Sequence, residues 1–112
     1  LHVFAATIDQ TASADEWYLG YIPRNAKMVA VITRVTTALA SSNYNLVADS
    51  TTLASSISTA SAGTYVTGLN PEGSLPAPSG DAQSDPGALL KVVPGGAYGN
   101  VTYQVTVLYY IE

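Results

Sequence analysis

The residues that could do chemistry are few in this 112-residue chain. There is no cysteine, one histidine, four lysines and arginines and eight aspartates and glutamates. Histidine-dependent acid–base or triad chemistry would fall to His2, which sits at the N-terminus without an evident positioning partner. The acids Asp9, Asp15, Glu16, Asp49, Glu72, Asp81, Asp85 and Glu112 fall mostly in turn-like sequence. There, carboxylates ordinarily bond the local backbone. Transition-metal sites want imidazole or thiolate, which the chain all but lacks. Residues 79–85 are oxygen-rich enough to raise calcium but lack the alternating acids and closing glutamate of an EF-hand loop. The glycines at 95, 96 and 99 lead into a strand pattern rather than a helix, which removes the helix N-terminus a phosphate loop needs. Asn100-Val101-Thr102 is a glycosylation triplet entering that same strand. The expectation is a protein that is not an enzyme and uses no metal and no cofactor.

The elements that carry these residues follow a period of two. In residues 100–112, Val101, Tyr103, Val105, Val107, Tyr109 and Ile111 alternate with Thr102, Gln104, Thr106, Leu108 and Tyr110. Such alternation of β-branched and aromatic residues predicts a half-buried strand, covered on both faces in its last third. Residues 16–22 and 27–37 predict two more strands, the first with Trp17, Leu19 and Tyr21 on one face. In the second, Val29, Val31, Thr33 and Val35 share a face. Between them Pro23-Arg24-Asn25-Ala26 reads as a turn, compatible with a hairpin or with a corner between sheets. Weaker strands are expected at 2–8, 44–49, 52–57, 64–67 and 89–93, with helix conceivable mainly at 37–42. Seven or eight short strands and turn-rich connections predict one all-β domain, a sandwich or barrel.

One stretch breaks the pattern. Residues 68–87 hold Pro71, Pro76, Pro78 and Pro86 with two internal glycines and no periodicity. A loop of about 20 residues is uncommon in a compact domain and reads either as a disordered loop or as an arm used for contact. Proline favours the arm by lowering the entropy lost on binding.

Composition narrows the partners. A net charge of −4 with four cations cannot form a basic stripe, so nucleic acid is not expected as a partner. No apolar run approaches the roughly 20 residues that span a bilayer as a helix, and no signal-peptide pattern is present, so no membrane partner is expected. Eight tyrosines fit the margin of a core, a protein interface or, by stacking on sugar rings, a carbohydrate site. The serine- and threonine-rich residues 51–63 form a charge-poor surface with little desolvation cost when covered by protein.

Together these segments resemble the small head decoration and stabilisation proteins of tailed bacteriophages. The likeness lies in the aromatic strand at 17–22, the Pro/Asn turn into the aliphatic strand at 27–31, and the polar strand at 44–49. It continues through the hydroxyl-rich stretch at 53–63 and the closing strand at 99–111. The resemblance implies a β-sandwich, jelly-roll-like, on the outer surface of a capsid. It implies as partners the major capsid protein and copies of the chain itself, commonly a trimer. Expected contact residues are His2, Val3 and Phe4, the prolines Pro71, Pro76, Pro78 and Pro86, and the tyrosines Tyr65 and Tyr98. A tail, neck or fibre component is the neighbouring alternative. A carbohydrate-binding sandwich module is the alternative of another class.

Overall fold

The computed structural model describes residues 2–11, 16–69, 75 and 85–111. Eight strands run in order: β1 (His2–Gln10), β2 (Trp17–Ile22), β3 (Ala26–Thr37), β4 (Ser42–Ala48), β5 (Thr51–Ser58), β6 (Gly63–Gly68), β7 (Ala88–Gly96) and β8 (Val101–Ile111). They form two four-stranded sheets, ordered β1-β8-β3-β6 and β2-β7-β4-β5, with every neighbouring pair antiparallel.

The pairs β1·β8, β2·β7, β3·β6 and β4·β5 are nested like the two arms of one long hairpin hinged after β4. Rolling that hairpin brings β8 beside β3 and β7 beside β4. This is the jelly roll, and it explains why consecutive strands alternate between sheets except at the hinge. The Pro23–Ala26 turn is therefore a corner between sheets, closed by an Ala26 N–H to Pro23 carbonyl bond of 3.0 Å. Where a helix was conceivable at 37–42, residues 38–41 instead form the turn between β3 and β4, with the Ser42 N–H donating to the Leu39 carbonyl.

The core lies between the sheets. From one come Ile8, Val31, Val35, Val101, Tyr103, Val105 and Val107; from the other come Ile22, Tyr44, Leu46, Ile57, Leu90 and Val92. Alternation delivers them, since every second side chain of a half-buried strand faces the opposite sheet. A bulge shifts that phase in β3. Val29 is inserted between Met28 and Ala30 against β8, so Met28 turns inward and Val29 does not join the face of Val31 and Val35. At the end of β8, Leu108, Tyr109 and Tyr110 are half-buried and Ile111 is exposed, so the last third is only partly covered.

The proline-rich segment is anchored where it is described. Leu75 is buried in the core, Leu69 packs against it, and the Leu69 N–H donates to the Val29 carbonyl.

Candidate functional site

One cation, Arg24, ties chain corners together. Arg24, in the β2–β3 corner, forms a two-pronged pair with Asp85, its Nη2 donating to Asp85 Oδ1 at 2.9 Å. Its Nη1 donates to Asp49 Oδ2 at 2.8 Å and its Nη2 also reaches the Gly87 carbonyl. Asp49 occupies the hinge after β4 with φ of 53°, a left-handed conformation aspartate tolerates. Its Oδ1 accepts the Leu89 N–H, and its own N–H donates to the Leu89 carbonyl. The Arg24 guanidinium holds both carboxyls below the usual carboxylate range, and they in turn hold Arg24 charged. Gly87 fits this junction only as glycine: φ is +116° and a Cβ would lie 2.5 Å from the Ile22 carbonyl oxygen. With both Asp85 oxygens on Arg24, this acid acts as a fastener; the other residues of 79–85 lie outside the described residues.

Inside the sandwich, Tyr44 and Tyr103 stack with ring centroids 5.1 Å apart. The Tyr44 hydroxyl bonds Thr33 at 2.6 Å, and burial pushes its pKa up to about 12. Burial also raises Tyr103, whose hydroxyl has no hydrogen-bond partner among the described residues. Both tyrosines belong to the core and are closed to a ligand.

The outer surface mixes hydroxyl-bearing residues with apolar and aromatic ones. Among the described residues, Val3, Tyr18, Tyr21, Tyr65, Val66, Tyr98 and Ile111 are the exposed large hydrophobic ones. On the outer face of the β1-β8-β3-β6 sheet, register aligns Val3, Leu108, Ala30 and Gly68 in one row and Ala5, Thr106, Ile32 and Val66 in the next. The third row, Thr7, Gln104, Arg34 and Thr64, is polar, so this face divides into an apolar half and a polar half.

The other sheet presents a tyrosine pair. Tyr18 pairs with Lys91 and Tyr21 with Leu89, because a bulge separates Tyr18 from Gly20. Both rings therefore stand on the outer face, 68% and 53% exposed, about 7 Å apart along β7 at strand rise. This corrects the expectation that Tyr21 shares a face with Trp17 and Leu19, which pack against the core instead. Gly20 has room for no Cβ, since one would lie 2.6 Å from the Phe4 ring. The isolated glycine within Trp17–Ile22 was the sequence signal for this bulge.

The residues expected to make contacts are spread apart. His2 and Val3 are exposed on β1, with the His2 ring stacked on Tyr109 at 5.2 Å. Phe4 is half-buried against the core. Tyr65 lies on β6, at the opposite edge of that sheet, its hydroxyl donating to the Ser61 and Ala62 carbonyls. Tyr98 is exposed between β7 and β8, and Pro86 is exposed beside Asp85. Pro71, Pro76 and Pro78 lie outside the described residues. Among known proteins, no family model, no curated protein and no solved structure matches the chain.

Proposed function

We propose that this chain is a structural virion protein of a tailed phage, a decoration or cement subunit that grips the major capsid protein on the outer surface of the capsid. The observation that carries the reading is the contrast between inner ties and outer skin. Among the described residues, Arg24, Asp49 and Asp85 are tied together at a corner and Glu16 pairs with Lys91 at the surface, while Asp9 and Arg34 are the other exposed acid and base in a skin otherwise made mostly of threonine, serine, alanine, valine and tyrosine. Covering such a surface strips water from few charges, so contact with other protein costs little desolvation. Repetition on a lattice then multiplies weak contacts into firm attachment.

The test is location. Mass spectrometry of purified particles should find the chain in fixed ratio to the major capsid protein, and particles lacking it should burst under milder osmotic or thermal stress. Recovery from tail fractions alone would move it to the tail, neck or fibre; absence from every particle would end the virion reading. The paired Tyr18 and Tyr21 favour one second reading, a carbohydrate-binding module. Binding to insoluble polysaccharide that Tyr18→Ala abolishes, with the fold intact, would establish it.

A further inference from the structure

Two sheets of four strands leave four edges: β1 and β6 on one sheet, β2 and β5 on the other. Each edge offers a row of unpaired backbone N–H and C=O groups, and folded proteins blunt such rows with charge, proline or bulges. Here β2 is broken by its bulge at Gly20, and β5 slips register twice against β4. β1 keeps its register but carries the charged Asp9 and sends Phe4, Ile8 and Gln10 inward. β6 differs from all three. Its six residues pair with β3 without a register break, contain no charge and no proline, and are exposed except for half-buried Thr67. Val66, the most exposed large apolar side chain among the described residues at 69%, stands in its middle.

We infer that β6 is a self-association edge: two copies of the chain pair β6 with β6, antiparallel about a two-fold axis, joining their β1-β8-β3-β6 sheets into one continuous sheet. A two-fold perpendicular to the sheet keeps the same face of both copies on the same side. Residues paired across it must then share a face, so Val66 can oppose only itself or a residue an even number of positions away. Val66 opposite Val66 is the register that covers the most, because each valine buries the other. It sets Thr64 opposite Gly68 and Tyr65 opposite Thr67.

The charges permit this pairing. The nearest cation on that face is Arg34, in register with Thr64, and among the described residues it has no ionic partner. In the proposed register the two Arg34 positions lie roughly 20 Å apart by strand spacing and rise, beyond the Debye length at physiological salt. Nothing charged faces the joint itself. The contact is also isologous and closes on itself, whereas β6 against β1 of another copy would propagate as a filament. The inference rests on the reading of this chain as an assembly subunit. It gives that subunit a two-fold self-contact in place of the three-fold cluster the phage resemblance implies.

The test uses the free protein, so its result is separate from capsid binding. Light scattering over a dilution series should show a monomer–dimer equilibrium. Val66→Lys, which sets like charges opposite each other, should raise the dissociation constant about tenfold or more while leaving circular dichroism unchanged, and the melting temperature unchanged at dilutions where both proteins are monomeric. The chain has no cysteine of its own, so single-cysteine variants report cleanly. Val66→Cys should oxidise to a covalent dimer, because opposed antiparallel residues have Cα atoms about 4.5–5.5 Å apart, within disulfide reach. Thr52→Cys, exposed on the β5 edge, should not. A monomer at every concentration, a trimer, or equal cross-linking of both variants would overturn the inference.

Discussion

The corner held by Arg24 and the interior held by Tyr44 and Tyr103 do opposite kinds of work. Arg24 draws together three points remote in sequence: the β2–β3 corner, the hinge after β4, and the residues just before β7. Its contacts are charged and partly wet, with side chains of Arg24 and Asp49 18% and 31% exposed, so water competes for each of them. The tyrosine stack is dry, and its gain comes from area and shape. Ionic ties thus choose where the corners of the roll meet, and the buried layer of aliphatic side chains around the tyrosine stack holds the sheets together. Breaking each region should therefore produce different losses.

The largest loss is expected from Tyr44→Ala. Removing a fully buried ring from the layer between sheets should cost about 3–5 kcal/mol, as other aromatic truncations in cores do. Denaturant unfolding should show a lower midpoint with an unchanged slope. At the corner, Gly87→Ala comes next. A left-handed backbone conformation and the approach to the Ile22 carbonyl combine there, and strain of this kind costs about 1–3 kcal/mol. That substitution should also loosen the Arg24–Gly87 bond, seen as faster amide exchange at Leu89.

This contrast between regions tracks what the sequence could disclose. The tyrosine-bearing strands were legible because alternation is a local property: residues 100–112 reveal β8, and Val101, Tyr103, Val105 and Val107 do point inward together. The corner was not legible. Arg24 and Asp85 are 61 positions apart, and no spacing rule connects them. The Pro/Asn turn left hairpin and corner open, since turn chemistry fixes a bend but not the sheet the next strand joins. Bulges at Val29 and Gly20 rephased two strands, and only the second carried a glycine as a signal. Leu75 shows the converse limit: a leucine inside an aperiodic, proline-rich segment enters the core. The edges named above were equally hidden, because strand order is a property of the rolled hairpin as a whole.

A finer cut lies within the stack. Tyr44→Phe leaves the buried Thr33 hydroxyl without its bond and should cost about 1–2 kcal/mol. Tyr103→Phe removes a buried hydroxyl that has no partner among the described residues, so stability should stay level or rise. Equal losses from both variants would show that the two hydroxyls are equivalent and that the Thr33 bond is not what distinguishes them.

The two regions also separate by pH. Tyr44 titrates near pH 10 when unfolded and at about 12 when folded, so its contribution is complete below pH 10. It is then lost at about 1.4 kcal/mol per pH unit as the solution approaches pH 12. Asp49 and Asp85 have the opposite sign. Their folded values lie below the ordinary carboxylate range, so their contribution is present above about pH 4 and drains away on acidification. Arg24→Gln should therefore flatten the acid limb of a stability profile and leave the alkaline limb in place. Tyr44→Phe should do the reverse, reducing the alkaline limb to what Tyr103 still supplies. If Arg24→Gln moved both limbs, the corner and the interior would be one coupled unit, and the division of labour between ionic placement and buried packing would fail.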